Sequence, residues 1–314
     1  MNIIISGGSG LIGQALVKSL KQDGHNIKTI TRNKNTSENQ IFWDIERNII
    51  ESDKLENSDV IIHLAGENIS GDNPIQGRWT NERKEKILNS RVKGTKLLAN
   101  TILNLKKQPK LFISASAIGY YGDRGSEVLD EKSFKGKGFL SDVCQKWEEE
   151  TNVLKNSNIR LVNTRFGVVL SKDGGALKAM LFPFQMGVGG IIGNGKQFMS
   201  WVDIDDVVGS IKHIINNSEI NGIVNIVSPS PITNYEYTKT LGSTLNRPTI
   251  FPIPKIGINL LFGEMGNELL LGNQNVQPNV LLQSGYDFIY KTIDKSLEHI
   301  LNGKEIKSKE AVLN

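Results

Sequence analysis

MNIIISGGSGLIG, residues 1–13, is the stretch that determines how this 314-residue chain folds. Asn2–Ser6 has apolar residues on both faces, a pattern typical of a strand buried in a parallel sheet. The spacing of apolar residues in Leu11–Gln22 predicts a helix directly after it. Between the two, glycines at positions 7, 10 and 13 form the pattern G-x-x-G-x-x-G. A strand, a glycine turn and a helix in this order predict a dinucleotide-binding unit.

Each glycine of the turn has a separate physical role. The first permits the tight turn, the second lets a pyrophosphate approach the backbone, and the third lets the helix pack close to the strand. The positive end of the helix dipole then faces the negative charge of the ligand. An ordinary tight turn between a strand and a helix is the alternative interpretation. The turn residues that we assign to the cofactor site are Gly7, Ser9, Gly10, Leu11, Ile12 and Gly13.

The residues after the second predicted strand, Asn26–Thr31, indicate which dinucleotide binds. A site for NAD usually has Asp or Glu there, about 20 residues after the glycines, to bind the ribose 2′-hydroxyl. This chain has Thr31-Arg32-Asn33 and no carboxylate. An arginine binds a 2′-phosphate through charge-assisted hydrogen bonds and stacks on adenine. We therefore expect Arg32 to select NADP(H) over NAD(H), the alternative being a solvated loop cation.

Short apolar runs alternate with helical patterns along the chain. This alternation predicts an α/β fold, a Rossmann-like doubly wound parallel sheet with a smaller C-terminal domain on the substrate side. We assign residues 1–165 to an NADP(H)-binding core to which 196–227 return, 166–195 and 228–301 to the substrate-side domain, and 302–314 to a polar tail. The further predicted strands are Ile41–Trp43, Val60–Leu64, Lys110–Ser114, Ile159–Thr164 and Gly222–Val227, and the further helices are Thr80–Leu105, Gly138–Lys155 and Asp203–Ile215.

Composition excludes several classes of protein. Hydrophobic residues make up 38% of the chain and charged residues 22%, which is enough for a sizeable core and excludes wholesale disorder. A net charge of +4, from 37 basic and 33 acidic side chains, indicates neither a nucleic-acid coat nor a membrane-surface segment. The single cysteine, Cys144, excludes an internal disulfide framework and a multi-cysteine metal site. The four histidines lack metal-ligand spacing, so we expect no metal.

The sequence also predicts where the protein works. It has no apolar run of the ~18–20 residues that a membrane helix needs, and its N-terminus enters a strand directly instead of showing a signal peptide. One cysteine suits a reducing compartment. We therefore expect a cytoplasmic protein with a small-molecule substrate and with neither nucleic acid nor membrane as a partner.

Longer segments are distinctive enough to indicate a family. They are HLAGENI at 63–69, RWTNERKEKILNSRVKGT at 78–95, ISASAIGYYGD at 113–123, FLSDVCQKWE at 139–148, GGALKAMLFPF at 174–184, GNGKQFMSWVDIDDVV at 193–208 and LLLGNQNVQPNVLLQSGYDF at 269–288. With GGSGLIG they resemble the extended short-chain dehydrogenase/reductase superfamily over about residues 1–301. Within it they resemble the atypical epimerase family group with a distinctive C-terminal domain. The resemblance implies an NAD(P)-dependent, nucleoside-diphosphate-sugar epimerase-like protein. Some relatives are labelled cell-division inhibitors.

The resemblance implies roles for particular residues. Asp44 resembles the acidic residue that contacts the adenine amino group, and Leu64-Ala65-Gly66 resembles the segment along the cofactor's ribose and diphosphate. Ser116 falls where the superfamily has its catalytic serine, in the loop after the fifth strand. Arg91 replaces the asparagine of the motif N-V-x-G-T and joins the cofactor set. With Arg83 on the same helix face, it is also a candidate clamp for an anionic substrate or part of a solvated basic face.

One departure from the superfamily concerns the catalytic pair Tyr-x-x-x-Lys. The helix that resembles it has Leu140 at the tyrosine position and Cys144 at the lysine position, and neither supports proton transfer near neutral pH. Tyr120 and Tyr121, in the loop after Ser116, are the candidate proton donors instead.

Two hypotheses follow from these residues. The first is an NADP-dependent oxidoreductase or epimerase that acts on a small, anionic or nucleotide-linked substrate. The second is a non-catalytic NADP(H)-binding sensor or scaffold linked to cell or plastid division. The superfamily resemblance also implies a homodimer through the two long helices. The acidic cluster Asp203, Asp205 and Asp206 resembles a catalytic site, but we interpret it as a helix N-terminal cap.

Overall fold

The computed structural model describes residues 1–34, 36–71 and 78–303, so residues 304–314 of the predicted polar tail lie outside it. The strands are β1 (Asn2–Ser6), β2 (Asn26–Thr31), β3 (Gln40–Asp44), β4 (Ile49–Ile50), β5 (Val60–His63), β6 (Leu111–Ala117), β7 (Val128–Leu129), β8 (Arg160–Phe166), β9 (Val168–Leu170), β10 (Phe198–Met199), β11 (Trp201–Asp203), β12 (Gly222–Ile226), β13 (Ile232–Thr233) and β14 (Asn275–Val276). The helices are α1 (Leu11–Gln22), α2 (Asn81–Leu103), α3 (Phe139–Glu149), α4 (Gly175–Gln185), α5 (Ile204–Asn216), α6 (Asn234–Thr244), α7 (Lys255–Phe262), α8 (Glu264–Leu269), α9 (Asn279–Gln283) and α10 (Ile293–Asn302).

A twisted central sheet organises the molecule. Within the described residues it has eight strands in the order β12-β8-β6-β5-β1-β2-β3-β4. Neighbouring strands are parallel except for β3 and β4. The strand order reverses between β1 and β5, which makes the carboxyl ends of these two strands the switch point where such sheets bind ligands. The predicted Rossmann-like, doubly wound sheet is confirmed.

Helices cover both faces of the sheet. On one face, Leu16 and Leu20 of α1 and Ile211 of α5 pack on a buried cluster with the apolar side chains of β1 and β5. On the other face, Leu98 and Ile102 of α2 are fully buried in a second cluster. Burial of both faces explains why the strands are almost continuously apolar. In the described part of the chain, no helix is both long enough and apolar enough to cross a membrane.

Most predicted bounds agree with the structure within two residues, and two differ. Helix α3 ends at Glu149, not at Lys155, because Thr151 Oγ1 donates a hydrogen bond to the Glu148 carbonyl and the chain continues as a 3₁₀ turn. Strand β6 continues to Ala117, where it still pairs with β8. Ser116 therefore lies inside a strand, and its expected position in the following loop was wrong.

A helical C-terminal domain packs against the helices of the sheet. Met265 of α8 contacts a buried cluster that includes Leu140 of α3 and Ile87 of α2. The carboxylate of Glu268 accepts hydrogen bonds from the first two backbone N–H groups of α3, those of Phe139 and Leu140, at 2.8 and 3.0 Å. A side chain from α8 thus caps a helix that packs on the central sheet.

The acidic cluster is the helix cap that its position indicates. The Asp203 carboxylate accepts hydrogen bonds from the Asp205 backbone N–H at 2.9 Å and from Ser296 Oγ of α10 at 2.6 Å. The Asp206 carboxylate accepts from the backbone N–H groups of Ile289 and Tyr290. Burial raises the pKa of Asp203 to about 7. These carboxylates fasten the C-terminal segment to α5, and the predicted cap is confirmed.

Candidate functional site

The glycine turn is built from positions that exclude a side chain. Gly7 has φ +73°, and a Cβ there would lie 2.8 Å from the backbone of Leu64 and Ala65. A Cβ on Gly13 would lie 2.2 Å from the Gly7 carbonyl oxygen. Helix α1 begins after Gly10, and no side chain caps it. The first backbone N–H groups of the helix are therefore available to an acceptor from a ligand. The turn therefore has the shape and polarity of a diphosphate cradle.

A groove of about 560 Å³ lies beside the ends of β2 and β3. Arg32 and Asp44, predicted for the cofactor's adenosine end, both line it, together with Lys34 and residues of α2. In the described part of the chain, Arg32 has no carboxylate within ion-pair distance, whereas Asp44 lies 3.7 Å from Arg47. A larger groove of about 990 Å³, lined by β4 and the end of α2, contains none of the predicted site residues.

A buried polar chain supports the segment Leu64-Ala65-Gly66. Ser6 Oγ and His63 Nδ1 lie 2.6 Å apart, and His63 Nε2 lies 3.0 Å from Thr95 Oγ1. Trp147 Nε1 donates to the same threonine at 2.8 Å. Burial lowers the pKa of His63 to about 4, so the imidazole is neutral near pH 7. These hydrogen bonds join β1, β5, α2 and α3 behind the segment Leu64-Ala65-Gly66 and engage both ring nitrogens of His63.

Arg91 lies between that segment and α3. A Cβ on Gly66 would lie 3.3 Å from Arg91 Cζ, and the guanidinium is 5.0 Å from the centre of the Trp147 ring. Its neighbour Arg83 is paired instead with Glu67 at 2.8 Å. Arg83 therefore has a carboxylate partner, whereas Arg91 has none among the described residues. The two arginines do not form the matched clamp that their shared helix face suggested.

Ser116 belongs to a buried network. Its hydroxyl donates a 2.6 Å hydrogen bond to Glu148 Oε1. Arg165 donates to both Glu148 oxygens at 2.8 Å and to the Tyr121 hydroxyl at 2.9 Å. The Tyr121 hydroxyl donates in turn to Asn225 Oδ1 at 2.8 Å. Burial opposes the charge of Arg165, but its hydrogen bonds with Glu148 raise the pKa of the guanidinium above its ordinary value.

The structure separates the two candidate tyrosines. Tyr121 is fully buried, and burial raises the pKa of its phenol to about 12, against the opposing effect of Arg165. Tyr120 is partly exposed, and the Arg165 guanidinium lies 3.4 Å from the centre of its ring. Within residues 1–34, 36–71 and 78–303, the Tyr120 hydroxyl has no hydrogen-bond partner. Tyr120 thus has an available hydroxyl, whereas that of Tyr121 is engaged.

Leu140 and Cys144 occupy the face of α3 below the turn Ile118–Tyr121. Both are buried, and a Cβ on Gly119 would lie 3.0 Å from Leu140 Cβ and 3.8 Å from Cys144 Sγ. Burial raises the pKa of Cys144 to about 11. Neither position offers a group that exchanges a proton near pH 7.

Sequence reasoning missed Glu148 and Asn225 as members of the network. A signal for the first was present, because Glu148 follows Cys144 by four residues and so shares its helix face. No comparable signal pointed to Asn225, whose contact with Tyr121 spans 104 positions.

Comparisons with known proteins agree with this geometry. A sequence model described as the NAD dependent epimerase/dehydratase family matches residues 3–227, and one described as a domain of unknown function (DUF1731) matches residues 253–300. Epimerase family protein Mb2239 of Mycobacterium bovis is 35% identical over 295 residues, which are 94% of this chain and 96% of that protein. The human epimerase family protein SDR39U1 is 34% identical over 302 residues, covering 96% of this chain and 100% of the human one.

Solved structures extend the agreement to three dimensions. Human SDR39U1 (isoform 2) with NADPH has a TM-score of 0.89 and 34% identity, covering 97% of this chain and 100% of that chain. The nucleoside-diphosphate sugar epimerase from Corynebacterium glutamicum has a TM-score of 0.80 and 31% identity, covering 99% of this chain and 60% of that one. The glycine cradle, the sheet order and these matches lead to one conclusion. The chain belongs to the NAD dependent epimerase/dehydratase family.

Proposed function

We propose that this protein is an NADP(H)-dependent oxidoreductase or epimerase acting on an anionic or nucleotide-linked small molecule. The observation that carries the cofactor choice is the position of Arg32, which lines the groove beside the ends of β2 and β3 and has no ion-pair partner among the described residues. Strand β2 ends at Thr31, so the chain has this arginine where a site for NAD has a carboxylate. The human relative's structure with NADPH supports this choice.

The chain's own residues fit each part of the cofactor. The turn Gly7–Gly13 accepts the diphosphate, Arg32 takes the 2′-phosphate, and Asp44 takes the adenine amino group. Leu64-Ala65-Gly66 runs along the ribose and diphosphate. When bound, NADP(H) supplies or removes a hydride.

Replacing Arg32 with alanine lowers the affinity for NADPH while leaving that for NADH unchanged. Hydrogen bonds to charged groups contribute about 1.5–3 kcal/mol each, so we expect Kd for NADPH to rise roughly 10–100-fold. Titration of nicotinamide fluorescence measures both constants. Lys21→Ala, which removes an exposed cation from the last turn of α1 and does not line this groove, is the matched control. An unchanged NADPH/NADH preference in Arg32→Ala contradicts the cofactor assignment.

The proton chemistry belongs to Tyr120 and Ser116 in this proposal. Tyr120 donates a proton to a substrate carbonyl because its hydroxyl has no hydrogen-bond partner among the described residues, whereas that of Tyr121 is bonded to Asn225. The Ser116 hydroxyl donates its hydrogen bond to Glu148, so in this proposal its oxygen accepts a hydrogen bond from a substrate hydroxyl and orients it. The Corynebacterium relative, called a nucleoside-diphosphate sugar epimerase, supports nucleotide sugars as the first class to test.

The test offers nucleotide sugars, aldehydes and ketones to the protein loaded with NADPH or NADP⁺. Absorbance follows the nicotinamide, and mass spectrometry detects isomerised products. Because general acid catalysis contributes about 10²–10⁴-fold, Tyr120→Phe should lose roughly that factor in kcat while NADPH affinity stays constant. Tyr121→Phe is the matched control for proton transfer. Full turnover in Tyr120→Phe removes this tyrosine from the mechanism.

A second candidate is a non-catalytic NADP(H)-binding sensor or scaffold, linked to cell or plastid division. Buried Leu140 and Cys144 favour it, because they leave α3 without a proton-transferring pair. Tight NADPH binding with no conversion of any substrate supports this candidate. The cytoplasmic location expected from the single cysteine, and a homodimer through α2 and α3, remain part of the proposal.

A further inference from the structure

Arg91 carries a charge that no described side chain neutralises. Among the described residues it forms no ion pair, and its Nη1 donates only to the Ile87 carbonyl one turn earlier in α2, at 3.1 Å. The nearby carboxylate of Glu67 is already bound to Arg83 at 2.8 Å. Burial lowers the pKa of Arg91 below its usual range, with Cys144 and Glu67 acting against this effect.

The surroundings of Arg91 keep its guanidinium in place. The indole of Trp147 lies beneath it at 5.0 Å, and the hydrogen bond from that indole to Thr95 fixes the ring. On the other side Gly66 has no Cβ, so the cation lies against the bare backbone of the cofactor segment. A partly desolvated cation beside a glycine, with no carboxylate paired with it in the described structure, has a free-energy cost that a negatively charged ligand would offset.

The position of Arg91 assigns it to one half of a dinucleotide. Arg32 and Asp44 lie at the ends of β2 and β3, on one side of the switch point between β1 and β5. Arg91 lies on α2, whose Ser90 and Lys93 also line the Arg32 groove, but its guanidinium stacks on Trp147 of α3, which follows β6 on the opposite side of that point. A dinucleotide spans the crevice at the switch point. The half remote from the adenosine therefore lies on the side of Arg91.

We propose that Arg91 binds the phosphate and ribose of the nicotinamide half, the part that NADPH and NADH share. This role of Arg91 rests on the proposed cofactor function, and it adds to Arg32 a second anion-binding residue with a different specificity. Cys144 stands where the superfamily resemblance places a lysine, so in this chain the cation reaches the site from α2 instead of α3. Arg32 then selects the dinucleotide, whereas Arg91 holds either one.

Calorimetric titration of three ligands tests this assignment. The ligands are NADPH, NADH and adenosine 2′,5′-bisphosphate, which lacks the nicotinamide half. In Arg91→Met we expect Kd for NADPH and NADH to rise by the same factor, roughly 10–100-fold. Binding of the bisphosphate should change less than about twofold, which also shows that the groove is folded. Arg91→Lys, which keeps the charge, should retain most of the affinity.

Lys96→Met is the matched control, since it removes an exposed cation from the same helix. It should leave all three constants unchanged. Wild-type affinity for NADPH in Arg91→Met overturns the inference, and so does an equal loss for the bisphosphate. Absence of NADPH binding in the wild-type protein contradicts the proposed function itself, so the two failures are distinguishable.

Discussion

Replacing Gly13 with alanine removes most of the affinity for NADPH. The added Cβ would lie 2.2 Å from the Gly7 carbonyl oxygen and 2.8 Å from Gly8 Cα, both backbone atoms that have no rotamer to change. The turn must open or the start of α1 must move, and either change displaces the N–H groups that face the diphosphate. Losing one or two charge-assisted hydrogen bonds, at about 1.5–3 kcal/mol each, raises Kd by roughly 10–1,000-fold or more.

Two measurements separate the effect on binding from an effect on folding. Fluorescence titration with NADPH gives Kd, and thermal unfolding without ligand gives the change in stability, for which overpacking typically costs about 1–3 kcal/mol. Gly257→Ala is the control, because a Cβ there meets only Pro254, at 3.9 Å. A Gly13→Ala protein that binds NADPH as well as the wild type shows that the turn does not hold the diphosphate.

The parts of the fold that the sequence predicted are those determined by local pattern. Asn2–Ser6 and Leu11–Gln22 are found with the bounds that hydrophobic spacing predicts. Helix α2 begins one residue after the predicted Thr80, whose side chain caps it by accepting a hydrogen bond from the Arg83 backbone N–H. The end of β6 was missed because strand length depends on the partner strand. Ser116 remains extended since it pairs with Arg165, a residue 49 positions later whose register no local pattern reveals.

The candidate site divides in the same way. The glycine turn and Arg32 lie within one β-α-β segment, so their spacing in sequence already places them together. The contacts of Ser116, Glu148 and Asn225 join residues far apart in the chain. The family resemblance implied which residues belong to the site, but not which hydrogen bonds they form. Sequence reasoning therefore treated Tyr120 and Tyr121 as equivalent. Only the packing of β8 and β12 shows that the Tyr121 phenol is hydrogen-bonded, whereas the Tyr120 phenol has no such partner in the described part of the chain.

Replacing Glu148 with glutamine destabilises the protein more than any surface substitution. The side chains of Arg165 and Glu148 are only 3% and 11% exposed, and two 2.8 Å hydrogen bonds join them. Removing one partner leaves a buried, uncompensated charge, which typically costs about 3–5 kcal/mol. Chemical denaturation of Glu148→Gln should show a loss of this size in the free energy of unfolding. Lys291→Met, which breaks the exposed pair with Asp287, should change it by less than about 1 kcal/mol.

The double variant Glu148→Gln/Arg165→Met determines what the pair contributes. Because it removes both charges, its loss of stability should be smaller than the sum of the losses in Glu148→Gln and Arg165→Met, by a coupling energy of about 0.5–3 kcal/mol. Losses that simply add contradict a direct interaction.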